Sequence, residues 1–203
     1  MGFYSIEEGL KLVRAARNAI ELHISSPRFY RGMLEKELEG FGDAHGVFVT
    51  LSHYPTGSLR GCIGFPSSSA PLKRMLLDAA LAASSMDPRF VPVSHEELEH
   101  LVVEVSILSE PAAIKGTPED ILKGIKVGRD GLIIEYGYHS GLLLPIVAVE
   151  EEWNAEEYLE NLCIKASLPI NAWRQGSARL YRFTAQVFKE LSPHGPIEEI
   201  LFE

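Results

Sequence analysis

Two strand-forming runs joined by a turn-rich stretch place the tightest constraint on this chain. Val47-Phe48-Val49-Thr50-Leu51 is followed by Tyr54-Pro55-Thr56-Gly57-Ser58 and then by Leu59-Arg60-Gly61-Cys62-Ile63-Gly64. β-branched and aromatic residues around a Pro/Gly turn read as the two arms of an antiparallel hairpin. Side chains alternate along a strand, so Leu59, Ile63 and Phe65 share one face with Gly61 between them, while Arg60 and Cys62 share the other at roughly 6–7 Å. A guanidinium beside a thiol favours the thiolate, which is the nucleophilic form. Gly61 and Gly64 flank the sulfur, and glycine within a strand marks a bulge or the close approach of a ligand or another backbone. Two readings of Cys62 follow. It is a reactive thiol, or it is a small apolar residue in the core, where free cysteines commonly sit.

The rest of the chain alternates helix and strand signals. Ser5-Ile6-Glu7-Glu8 is a capping box, and Ile6, Leu10, Val13, Ala16 and Ile20 recur behind it at helical spacing to about Ser25, before Pro27 stops the helix. Arg14, Arg17 and Arg28 read as a solvated face. A short helix is expected around Met33 to Leu38, and a longer one over 71–84, capped by Ser69, with Leu72, Met75, Leu76, Ala79 and Ala83 inward. Asp87-Pro88-Arg89-Phe90-Val91-Pro92 is a connecting loop, in which Arg89 pairs with Asp87 or clamps a substrate carboxylate. Ser94-His95-Glu96-Glu97 reads as a second capping box. Leu101 to Leu108 is the strongest strand, with Val103, Val105 and Ile107 on one face and Glu104 and Ser106 on the other. Where that face meets a cleft, Glu104 is the carboxylate best placed for general-base or metal work; otherwise it is a solvated glutamate on a half-exposed sheet. His45 and His53 bracket the first strand and offer the partner of a Cys–His pair.

Thr117-Pro118-Glu119-Asp120 starts a helix that ends at Gly124. Ile125 to Val127, Leu132 to Tyr136 and Leu142 to Leu144 read as a three-stranded meander, with His139 on its second turn and Pro145 ending it. Asn154 caps a helix whose Tyr158, Leu159, Leu162, Cys163 and Ala166 turn inward, which makes Cys163 a core residue. Arg179 to Val187 alternates as a half-buried strand. The fold class is α+β, with largely antiparallel sheets and flanking helices.

The Leu59–Gly64 string is the signature of the AMMECR family, which the sequence resembles along nearly its whole length. Further matches are Asp87-Pro88-Arg89-Phe90 with Pro92, Glu104-Val105-Ser106-Ile107-Leu108, Gly128-Arg129-Asp130-Gly131-Leu132, Gly141-Leu142-Leu143-Leu144-Pro145, Trp153, Leu162-Cys163-Ile164-Lys165-Ala166 and Trp173. The resemblance implies one AMMECR-type domain over 1–203, built as two packed lobes with the six-residue motif lining a cleft between them. It also implies an enzyme-like protein and a pathway shared with a Memo-like protein and a radical SAM protein. Ile146 and Ser167 stand where prokaryotic relatives are expected to carry Gln and Gly.

At 203 residues and 46% hydrophobic the chain buries a sizeable core. A formal charge of −9 opposes long-range attraction to nucleic acid. Two cysteines, no secretory signal and no apolar run near the roughly 18 residues of a membrane span point to the reducing cytoplasm. Cys–His zinc spacing is absent, and no motif names a cofactor. The sequence thus leads to a Cys62-centred cleft for a small or anionic substrate, with Cys62 and Glu104 catalytic and Arg60, Gly61, Ile63, Gly64, Arg89 and His139 binding. The competing reading is a non-catalytic module that binds a small ligand or a protein.

Overall fold

The computed structural model describes residues 4–26, 31–41, 44–67 and 69–201. In chain order the elements begin α1 (Ile6–Ser25), α2 (Arg31–Glu37), β1 (Gly46–His53), β2 (Leu59–Phe65), α3 (Leu72–Ser85) and β3 (Leu101–Leu108). They continue with β4 (Ala112–Ile114), α4 (Pro118–Gly124), β5 (Asp130–Tyr136), β6 (His139–Leu143), α5 (Pro145–Glu150), α6 (Ala155–Lys165), β7 (Arg179–Glu190) and β8 (Ile197–Ile200). The chain divides into two compact units: residues 1–108 with 186–201 form the first, and Ser109–Ala185 the body of the second.

In the first unit the strands run β2-β1-β3-β7, with β8 on β7. Val47, Val49 and Leu51 of β1 and Val103, Val105 and Ile107 of β3 are all at most 1% exposed, and they pack with the inward stripes of α1 and α3 in one hydrophobic cluster. Burying each such side chain contributes about 1.5–3 kcal/mol. The Ser5 box forms as expected: the Ser5 hydroxyl accepts from the Glu8 amide at 3.3 Å, and the Glu8 carboxylate accepts from the Ser5 amide at 2.8 Å. The buried stripe of α1 is Gly9, Leu12, Val13, Ala16, Ala19 and Ile20, while Ile6 is exposed. Arg17 departs from the solvated face expected of it. It is 5% exposed and bonded to Glu190 and to the Leu101 carbonyl. Pro27 and Arg28 lie outside the described residues. The box at Ser94 is half formed, since Glu97 accepts from the Ser94 amide while no side chain caps the following 3-10 turn.

The second unit is antiparallel, β4-β7-β5-β6, with α6 packed on β5 and β6. The Asn154 box opens α6, and Tyr158, Leu159, Leu162 and Cys163 are fully buried along it. The Tyr158 hydroxyl donates to the Leu143 and Leu144 carbonyls, each at 3.0 Å. Residues 125–127 are not the first strand of a meander. The Asp130 carboxylate takes the Lys126 amide at 2.9 Å while the amides of Arg129 and Asp130 turn back on the Lys126 carbonyl, so this backbone closes a turn and β7 pairs with β5 instead. His139 opens β6 opposite Tyr136 and is not on the turn. Pro145 ends the strand and also starts α5 at its first position, where a missing amide costs nothing.

Candidate functional site

The hairpin register sets what surrounds Cys62. Thr50 lies directly opposite Cys62 on β1, and Glu104 lies opposite Thr50 on β3. Cys62, Thr50 and Glu104 therefore form a row across three strands, on the face opposite the core-facing Val49 and Leu51. The Thr50 hydroxyl donates to the Cys62 sulfur at 3.3 Å, and the Glu104 carboxylate pairs with Lys189 of β7 at 3.5 Å. Burial dominates the sulfur's acid–base chemistry and pushes the thiol up from its ordinary value. The Thr50 hydrogen bond and the Arg89 charge oppose this, and the carboxylates of Glu104 and Asp87 add to it. Cys62 is thus a half-buried free thiol rather than a preformed thiolate.

Arg60 is the second sequence-selected residue of this strand, and it is turned away from the sulfur. Its Nε donates to Glu97 at 2.8 Å and one terminal nitrogen donates to the Val91 carbonyl at 2.9 Å, with the side chain 7% exposed. Glu97 in turn is held down to about 2 by Arg60. Gly61 faces α3. A Cβ there would lie 2.2 Å from the Ala83 carbonyl oxygen, so glycine is required by a backbone contact. Ile63 packs on the core cluster, whereas Gly64 faces Phe48 on the Cys62 side.

The Asp87–Phe90 segment binds the free edge of β2. Asp87, 4% exposed, accepts from the Cys62 amide at 2.9 Å and from the Arg89 side chain at 2.7 and 2.9 Å. Arg89 donates to the Cys62 carbonyl at 3.3 Å, so the pair takes both peptide groups of Cys62. The Arg89 side chain keeps 53% of its surface exposed. Its guanidinium and that of Arg60 lie 5.5 and 5.6 Å from the Phe90 ring centre, within cation–π range. The Arg89 guanidinium holds the Asp87 carboxyl far below the usual carboxylate range.

Of the other candidates, His53 lies three residues beyond Thr50 and neither it nor His45 is opposite Cys62. His139 belongs to the second unit, its Nδ1 3.2 Å from the Ala166 carbonyl. Among the described residues no group of three or more His, Cys, Asp or Glu side chains is arranged to hold a metal ion. Sequence reasoning missed Thr50, Lys189 and the structural part of Asp87. Counting the hairpin register back from the Ser52–Leu59 pair would set Val49 opposite Cys62; the irregularity between Leu51 and Ser52 moves the partner to Thr50.

A family model named AMMECR1 matches residues 13–188. The chain belongs to the AMMECR1 family. Protein MJ0810 of Methanocaldococcus jannaschii is 47% identical over 200 residues, covering 98% of both chains. Protein PH0010 of Pyrococcus horikoshii is 47% identical over 95% of this chain and 94% of its own. The crystal structure of uncharacterized protein PH0010 superposes with a TM-score of 0.87 at 44% identity, covering 97% of this chain and 98% of that one. This likeness establishes the α+β fold with its antiparallel sheet. No helix among the described residues is long and apolar enough to cross a membrane.

Proposed function

We propose that the first unit of this AMMECR1-family protein is an enzyme-like site for a small anionic substrate centred on Cys62. The row Cys62–Thr50–Glu104 supports this most directly, because it sets a thiol, a hydroxyl donor and a carboxylate on one face of three adjacent strands. Cys62 rests as a neutral thiol. As its sulfur adds to an unsaturated electrophilic carbon, the C–S bond forms while that carbon's π bond opens onto its heteroatom, the thiol proton leaves towards the Glu104 carboxylate and Thr50 continues to donate to the sulfur. The exposed face of the Arg89 guanidinium holds the substrate anion, and Gly64 lets the Phe48 ring pack close against the strand beside the sulfur. Arg60, Gly61 and Ile63 support the strand from behind, and His139 takes no step. The setting is the cytoplasm, and the Memo-like and radical SAM partners implied by the family resemblance would make or consume the small substrate.

The non-catalytic reading has one observation in its favour: a thiol whose acidity is suppressed needs no chemistry to explain it. Alkylation of the intact protein by iodoacetamide across pH, with the Cys62 peptide followed by mass spectrometry, separates the two. The enzyme reading expects labelling in the native state with a midpoint above the roughly 8.5 of free cysteine. Replacing the Glu104 carboxylate removes a charge that disfavours the thiolate, so Glu104→Gln moves that midpoint down. Protection of Cys62 until the protein is denatured would make it a packing residue and leave the binding module standing.

A further inference from the structure

The second unit contains a groove of about 410 Å³ between β4, the start of β7 and the 3-10 turn Ala172–Arg174. Its size is that of small-molecule sites, which run about 300–1,000 Å³. Ile114, Ile121 and Leu180 supply an apolar wall, and Trp173 lies against it. Lys115, Arg174 and Arg179 are the charged residues of the lining, beside Gln175 and Tyr181, and the lining holds no carboxylate. Three cations line one groove in a chain of formal charge −9.

Trp173 closes the inner side of the groove. It is 1% exposed, and its indole Nε1 is a buried donor without an acceptor among the described residues. Native proteins rarely leave such a donor unpaired, because its desolvation is then uncompensated. The Arg174 guanidinium lies 4.2 Å from the Trp173 ring centre and pairs with Glu156, and Arg179 pairs with Glu135 at 3.1 Å. Both pairs are exposed, so their carboxylates exchange readily for those of a ligand. The charged residues of the lining can only donate.

From this we infer that the groove binds a small anion, a carboxylate or phosphate monoester, joined to an apolar body. The anion meets Lys115, Arg174 and Arg179, and the body lies on the aliphatic wall beside the buried Trp173. Two exposed cations, Lys115 and Arg179, set the affinity for the anion without supporting the core.

The test uses the full ¹⁵N-labelled chain, in which Trp153 and Trp173 give two indole N–H signals that Trp153→Phe assigns. Adenosine monophosphate and phenylacetate are titrated separately, with inorganic phosphate as a third arm. The expected result is a saturable shift of the Trp173 signal by at least one organic anion, with a Kd below about 1 mM. The Lys115→Ala/Arg179→Ala chain then binds at least about tenfold more weakly while its other signals stay in place. Response to adenosine monophosphate alone assigns a phosphate, and response to phenylacetate alone a carboxylate. A Trp173 signal unmoved by both, an equal response to inorganic phosphate, or unchanged binding by the double variant overturns the proposal.

Discussion

Ser167 ends α6 in a left-handed conformation, with φ of 57°. The Leu168 amide bonds back to the Cys163 carbonyl and the Ser167 amide to Ile164, so the two residues close the helix in a Schellman motif. The left-handed position of that motif favours glycine, and a residue with a Cβ loses about 1 kcal/mol there. This is the physical content of a serine standing where relatives are expected to carry glycine. Ser167→Gly should raise the stability of the protein by about 1 kcal/mol, read as a higher urea midpoint at unchanged slope. A lower midpoint would mean that the serine side chain makes a contact worth more than the backbone strain. Nothing in the structure explains Ile146.

At the scale of elements, β2 is an edge strand whose outer side is closed by side chains rather than by another strand. Asp87 and Arg89 occupy the peptide groups of Cys62, and Arg60 ties the same strand to Glu97. Unpaired edges recruit foreign strands, and covering them with charged side chains prevents this. The clamp makes β2 acid-sensitive with a definite sign. Both carboxylates have folded pKa values below their unfolded ones, so their stabilisation is complete above about pH 4.3 and fades as pH falls through the folded values. For Glu97 the window runs from about 4.3 down to about 2. The difference in urea midpoint between the wild type and Glu97→Gln should therefore shrink steadily across that window. A difference that stays constant would mean that the Arg60 pair contributes through packing and not through charge.

For the whole molecule, the first unit is assembled from the two ends of the chain, with Ser109–Ala185 running as a long excursion between them. Arg17 is a pin in that assembly. From α1 it reaches Glu190 at the end of β7, and its terminal nitrogens donate to the Leu98 and Leu101 carbonyls at 3.4 and 2.6 Å. Glu190 also accepts from the Val103 amide at 2.9 Å, and both side chains are at most 5% exposed. Removing one partner of such a pair leaves a buried charge uncompensated. Arg17→Met is expected to cost about 3–5 kcal/mol in urea unfolding. Arg17→Met with Glu190→Gln should recover part of that loss, because a neutral amide oxygen still accepts from Val103. A double variant no more stable than the single one would show that the loss comes from the Arg17 contacts to backbone carbonyls.

Local chemistry was legible in the sequence itself. The box at Ser5, the helix starts at Thr117 and Asn154, the hairpin around Gly57, the Leu101–Leu108 strand and the inward face of α6 are all written in residue types and periods within a few positions. The AMMECR1 membership was legible for a different reason, a string of residues long enough to be specific. What the tertiary structure decided lies at long sequence separation. Arg60 is drawn to Glu97, 37 positions away, and Arg17 to Glu190, 173 positions away. The Cys62 thiol rises in pKa because burial outweighs the Thr50 hydrogen bond and the Arg89 charge. Alternation along a strand says which face a side chain takes. Only the packed structure says which partner it finds there and how much water is left around it, and those two quantities set charge, acidity and reactivity.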